Sequence, residues 1–238
     1  MKNIILSRKG FDSSAGGVAS PIFDNGNIFS IPIPQKSPSP HKYKDLFFNG
    51  ISGKDLLKES SAKSVTSESY CHFDPLLTEE IGIFGQANSS QTELKKQDVN
   101  TGDLFLFFGW FKQFSRKGKH LHHIFGWLQI DKVVEGRDNI ITHLDQLGTT
   151  HPHGFGDLSR YSNNTIYISK KNLTFNFSND FRPLMDNFQA ILKSEDFNIF
   201  AEEIKSIDQE IIEKQNICAA LKIGRVLEFI ILSLASSW

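Results

Sequence analysis

Between Leu104 and Phe111 the chain reads Leu-Phe-Leu-Phe-Phe-Gly-Trp-Phe, a run that carries no charge. A one-sided strand would alternate apolar with polar residues, and a buried helix would need more length, so this run predicts a central strand covered on both faces. A second apolar, β-branched stretch, His122 to Val134, follows the polar and basic residues Lys112 to Lys119. The two are expected to pair as a hairpin with a long loop. Both arms carry one tripeptide, as Phe108-Gly109-Trp110 and as Phe125-Gly126-Trp127. A glycine inside a strand usually records a bulge or the close approach of another backbone.

The rest of the chain is organised around that hairpin. Residues 3–7 read as a short strand, and the polar loop from Arg8 to Ser20 follows it. Pro21, Pro32, Pro34, Pro38 and Pro40 exclude regular helix, but 28–33 can form an edge strand after the turn Asp24-Asn25-Gly26-Asn27. A weak helix is expected near 54–60, and a second over 87–96 beyond Ile81 to Gln86. The alternation of Leu173, Phe175 and Phe177 suggests that 165–169 and 173–177 make an edge hairpin around Lys170-Lys171-Asn172. Finally, Phe197, Phe200, Ile204, Ile207 and Ile211 recur at helical spacing, with Cys218 and Leu221 continuing the seam. These elements predict an α+β fold: a mixed β-sheet or barrel-like core with flanking helices and a C-terminal amphipathic helix.

Charge and motifs narrow the function. A formal net charge of −1 argues against holding duplex DNA through phosphates alone. Cys71 and Cys218 are not spaced as a disulfide framework or a zinc site, and neither terminus carries a signal or a membrane-length apolar run. A cytoplasmic protein is expected, with no membrane partner. The chain has no phosphate-loop, dinucleotide or nucleophile-elbow motif. Histidines fall in two groups, His120, His122 and His123 in one strand and His151 and His153 around Pro152. Strand neighbours point to opposite faces and no carboxylate lies at a ligand spacing, so neither metal nor cofactor is expected. Two places remain for a ligand. The loop bearing Arg8, Lys9, Asp12, Ser13, Ser14, Gly16 and Gly17 could hold a phosphate, its alternative being a plain structural loop. Trp110, Phe111 and Trp127 beside Gln113 and Gln129 could stack on and read a base, their alternative being core.

Several segments also carry a resemblance. Ile4-Ile5-Leu6-Ser7-Arg8-Lys9-Gly10-Phe11-Asp12-Ser13-Ser14, with Gly16-Gly17 and Ser20-Pro21-Ile22, resembles the opening of the third nucleotide modification associated domain family. Ser30-Ile31-Pro32-Ile33-Pro34, His72-Phe73-Asp74-Pro75, Phe84-Gly85-Gln86 and the run Gly102 to Phe111 continue the likeness over about residues 1–182, with 183–238 as a helical extension. Gly224-Arg225 with Glu228-Phe229 looks like the family's usual end. Gly102-Asp103 and the following hairpin are similar, locally, to small β-barrels of the PUA type that bind RNA or flipped, modified bases. The resemblance implies a phage or bacterial base-modification or defence setting, and adds Gln86 to the nucleotide-binding candidates.

Three functions follow from that setting. The chain binds modified nucleotides or bases in DNA, with aromatic side chains stacking and the N-terminal loop touching phosphate. Alternatively it is an enzyme of hypermodification in which Asp12, Asp103 or a histidine is the acid or base. A third reading makes it an interaction subunit for other base-modification enzymes, or a homo-oligomer, joined through the helix at 194–221. The first two readings need the N-terminal loop and the Gly-Trp arms to converge on one hollow.

Overall fold

The computed structural model describes residues 3–23, 28–48, 50–78, 80–113, 120–170 and 174–176. The turn at 24–27, the hairpin loop at 114–119 and the amphipathic helix expected at 194–221 lie outside the described residues. In chain order the first half contains β1 (Ile4–Arg8), β2 (Ser20–Ile22), β3 (Ile33–Gln35), β4 (His41–Lys42), β5 (Phe47–Phe48), β6 (Ile51–Ser52) and α1 (Gly53–Glu59). Then come β7 (Tyr70–His72), β8 (Leu76–Leu77), β9 (Gly82–Gln86), α2 (Asn88–Lys96) and the long arms β10 (Leu104–Gln113) and β11 (His120–Gln129). The described chain ends with β12 (Lys132–Glu135), α3 (Arg137–Gln146), a turn of 3-10 helix at Pro152–Gly154, β13 (Thr165–Ile168) and β14 (Thr174–Asn176). All of it falls in one compact unit, Met1–Phe181, and the class is α+β.

The apolar run forms the central strand. β10 pairs antiparallel with β11 along its whole length, and on its other side it pairs in parallel with β1 and, further along, with β2. The register slips between Phe107 and Phe108, so the repeated tripeptide does mark an irregularity. A Cβ on Gly109 would stand 3.0 Å from the Lys9 carbonyl oxygen, which is the close approach that a strand glycine predicts. Full cover on both faces is corrected, however. Phe105, Phe107 and Phe111 are sealed, whereas Leu106, Phe108, Trp110 and Lys112 on the opposite face are only half-buried. Strand alternation decides this, because apolar composition says how much surface a strand can bury and not what packs against its second face.

The inner face packs on a second sheet of order β12-β13-β9-β8. Phe84 of β9 is the hub: its ring lies 4.7 Å from that of Phe105, 5.1 Å from Phe107 and 6.0 Å from Tyr167. The other face of this sheet presents Ile83, Ile166 and Ile168 to Ile140 and Leu144 of α3, giving sheet, sheet and helix in layers. A third sheet, β3-β7-β4, closes with α1 over its own core of Phe11, Phe29, Ile31, Tyr43, Leu56 and Cys71.

Two further expectations are corrected. Residues 165–169 and 173–177 do not form a hairpin: β13 sits between β12 and β9, all four of its residues buried, while β14 joins the first sheet beside β11. Both short segments have strand composition, but partner choice is set by which buried edge each can reach. The edge strand expected at 28–33 begins only at Ile33, Ile28 making a single bridge to Ile22. Because Phe84 fills the junction between the two large sheets, Phe84→Ala is expected to cost about 3–5 kcal/mol. Urea unfolding followed by circular dichroism measures the loss.

Candidate functional site

The parallel pairing of β1 ends at Arg8, and the next residue turns inward. Arg8 is exposed on the outer face of the sheet, while the Lys9 side chain crosses the Phe84 ring at 4.2 Å and places its ammonium 2.9 Å from Asp74 Oδ2. Asp74 follows β7, and its peptide bond to Pro75 is cis. Its carboxylate is fully enclosed and each oxygen is held. Oδ1 accepts from the Gly85 amide at 2.8 Å and from His151 Nε2 at 3.1 Å, and Oδ2 accepts from Lys9. Burial alone would raise this carboxyl's pKa, but the Lys9 charge and the His151 hydrogen bond outweigh it and hold the group well below the usual carboxylate range.

Three imidazoles surround this anion, and the hydrogen bonds around them fix their tautomers. Asn164 donates through Nδ2 to the His153 carbonyl at 2.7 Å, so its Oδ1 faces His153 Nδ1 at 2.6 Å as the acceptor. Gln35 donates through Nε2 to the carbonyls of Ser37 and Pro38, so its Oε1 accepts from His72 Nδ1 at 2.9 Å. His151 Nδ1 accepts from the His153 amide, which assigns its proton to Nε2 and to Asp74. His72 and His153 therefore both carry their lone pair on Nε2. Burial, the largest cause, pushes the pKa of His72 down to about 4 and that of His153 down to about 3. At neutral pH His72 and His153 are therefore neutral imidazoles beside the Asp74 carboxylate.

Local packing builds the arrangement. The His153 ring lies flat on Gly85, where an added Cβ would meet its Cδ2 at 2.2 Å, and its other face stacks on Tyr161 at 4.7 Å. Arg160 in turn covers Tyr161 and donates to Ser37. Beside Asp74 opens a narrow pocket lined by Gly10, Phe29, Ser30, Pro32, Phe73, Pro75 and Phe125.

Of the residues singled out in the sequence, His151, His153 and Lys9 meet in the cluster and the others fall elsewhere. Asp12 closes its own turn, its Oδ1 accepting from the amides of Ser14 and Ala15 and from the Ser14 hydroxyl, with Arg8 3.9 Å from Oδ2. Ser13 and Ser14 are exposed, and Gly16, at φ +89°, leaves room for the Phe11 ring against it. Gly17 is exposed in the same turn, and Gln86 ends β9 opposite Thr165. Asp103 is a buried staple that accepts from the Asn3 amide, the Asn3 side chain and the Asn100 amide. Trp127 is 7% exposed and its indole N–H has no hydrogen-bond partner among the described residues. Trp110 is half-buried on the outer face and stacks on His120 at 5.1 Å. Arg8 is exposed on the outer side of the sheet and Lys9, just past the end of β1, reaches Asp74 inside; Gly10 of the loop and Phe125 of the second Gly-Trp arm both line the pocket beside Asp74, whereas Trp110 lies on the outer face.

Spacing along the chain hid Asp74, because it stands 77 residues from His151 in sequence. The signal was present in another form: His72-Phe73-Asp74-Pro75 and Phe84-Gly85-Gln86, two of the segments that carry the family likeness, are the ones that supply the ligand-bearing turn and the glycine shelf.

Asp74, ion-paired with Lys9 and ringed by His72, His151 and His153, thus stands beside a pocket within an α+β domain. The chain belongs to the family nucleotide modification associated domain 3, whose model matches residues 3–208. Its role is accordingly associated with nucleotide modification. No curated protein and no solved structure matches the chain. Among the described residues no helix is long and apolar enough to cross a membrane.

Two outcomes are expected. Gly85→Ala forces the His153 ring off its shelf and should cost about 1–3 kcal/mol, read by denaturant titration. In chelator-treated protein, stability should be level above about pH 6.5 and fall as the pH drops toward 4. In that window the unfolded chain protonates His72 and His153 while the folded chain does not, so these two alone contribute up to about 2.7 kcal/mol per pH unit, and His41 and His123, whose pKa values burial also lowers, add in the same direction. Denaturation midpoints at pH 7.5, 6 and 5 measure it, and His153→Gln should flatten the dependence.

Proposed function

We propose that the protein is an enzyme acting on a nucleotide or base during DNA hypermodification, with the Asp74 cluster as its reactive centre. The observation that supports this is the desolvated carboxylate ringed by Lys9, His72, His151 and His153. A module that only reads a base needs faces to stack on and a few groups to match its edge. It has no use for several ionisable groups whose pKa values are displaced by burial, whereas reactive centres collect them. Phe29, Phe73 and Phe125 around the adjoining pocket supply an apolar, aromatic approach to the carboxylate. The chain's sole contribution from the N-terminal basic pair is then Lys9, which orients and neutralises Asp74, and Asp12 and Asp103 keep structural work.

A second reading, binding of modified nucleotides in DNA, is favoured by one separate feature. The outer sheet face carries Arg8 exposed, with Trp110 stacked on His120. Such a stack beside a cation suits a splayed base and its phosphate.

The readings separate in one experiment. The purified protein is incubated at low salt with unmodified and hypermodified DNA and with the corresponding free nucleotides, in the presence of a small-molecule extract. Nucleosides are then analysed by mass spectrometry. Turnover by the wild type, lowered about 10²–10⁴-fold in Asp74→Asn and unaltered in Asp12→Asn, is expected. Binding with unchanged mass, abolished by Trp110→Ala, would favour the reader.

A further inference from the structure

We infer that His72, Asp74 and His153 form a binding site for a divalent transition-metal ion, with His72 Nε2, Asp74 Oδ2 and His153 Nε2 as ligands. This deepens the enzymatic reading of the same cluster and rests on it only for purpose, since the geometry stands by itself. One ligand atom from each of the three residues lies within 4.8 Å of the others. Around an ion with bonds of about 2.1 Å, neighbouring ligands stand about 3.0–3.4 Å apart, so each side chain closes in by roughly 1 Å.

The surroundings match what such a site requires. A metal-bound imidazole almost always donates its remote N–H to a fixed acceptor, which sets the tautomer and aims the ring. Here the Asn164 oxygen takes the His153 Nδ1–H and the Gln35 oxygen takes the His72 Nδ1–H, and each amide is itself locked by donating to backbone carbonyls. His151, by contrast, spends its Nε2–H on Asp74 Oδ1 and orients the carboxylate rather than serving as a ligand. Burial keeps both ligand imidazoles neutral, the form that coordinates. Two imidazoles with one carboxylate select ions of the zinc, iron(II) and manganese(II) class over magnesium or calcium, which prefer all-oxygen shells. Three protein ligands also leave positions open for water or substrate, as reactive sites do and purely structural ones do not.

Lys9 makes the inference sharp. Its ammonium sits 2.9 Å from the oxygen assigned to the ion, so the protein already places a cation there and the two charges compete. Removing the ammonium should therefore tighten metal binding, which no purely structural role for the histidines would produce.

The test uses full-length protein stripped with a chelator and titrated with Zn²⁺, with Mn²⁺ and, without oxygen, with Fe²⁺. Metal content is read by mass spectrometry and affinity by calorimetry. One ion per chain is expected, with Mg²⁺ failing to compete. Gln35→Leu should weaken binding about 10–100-fold, as loss of an imidazole's orienting partner does. His153→Ala should weaken it further, and His120→Ala with His122→Ala should leave it unchanged. Lys9→Met should bind at least about tenfold tighter and show the larger metal-induced rise in Tm. Absence of stoichiometric binding by the wild type overturns the site, as does a Lys9→Met protein that binds no tighter, even where the histidine variants fail to fold. Turnover without metal would sink this inference and leave the enzyme standing, whereas metal without turnover does the reverse.

Discussion

The ion pair between Lys9 and Asp74 is the contact on which the described architecture turns. It joins the residue at which β1 leaves the first sheet to the segment linking the third sheet with the second. Through the Gly85 amide and His151, the same carboxylate reaches β9 and the turn after α3. Four separate stretches of chain thus meet on one buried charge. Removing one partner of such a pair leaves the other desolvated and unpaired, a loss of about 3–5 kcal/mol. The parallel alignment of β1 with β10 is what aims Lys9, since the strand must end at Arg8 for the next side chain to turn into the interior.

A charged cluster at that junction is not the most stable filling for it. Well-packed apolar residues of similar volume often serve as well or better, because the mutual attraction of buried charges seldom exceeds the cost of desolvating them. The neighbouring cores show that the chain has such residues to spend. Phe84, Phe105, Phe107 and Tyr167 pack ring against ring beside the ion pair. Lys9 touches that core through the Phe84 ring, so the edge of the core also lowers the dielectric around the charged cluster. The aromatic wall serves the same end, for a dry surround strengthens every interaction the charges make.

Much of the scaffold was legible in the sequence, and the reason is local. The central strand, its antiparallel partner, α1, α2 and the strand glycine at 109 each follow from a few adjacent residues whose composition admits one conformation. Pairings that depend on distant segments were not legible. β13 and β14 have the sequence of a hairpin and join different sheets, because burial on both sides of β13 outweighs its proximity to β14. The candidate site failed in the same manner. Asp12 and Asp103 look available in a linear reading, but each satisfies nearby backbone amides, the ordinary fate of a carboxylate in a turn. Asp74 stands two residues from His72 in sequence, but its other partners come from residues 9, 85 and 151. His151 and His153 drew notice and were set aside for want of a carboxylate that only the tertiary fold supplies.

The two faces of the first sheet then divide the protein's chemistry. Inside, Lys9 holds the enclosed Asp74 carboxylate, and burial keeps His72 and His153 neutral. Outside, Arg8, Trp110 and His120 are half-buried or exposed, where a charged polymer can approach. Arg8 is exposed on the outer side of the sheet while Lys9, the first residue past β1, is ion-paired with Asp74 inside, so the two neighbouring cations face different surroundings. The two cations are thereby divided: one stands on the face that carries Trp110 and His120, and the other holds the Asp74 carboxylate. The end of β1 separates the two, and that geometry alone gives each of the adjacent cations its own surroundings.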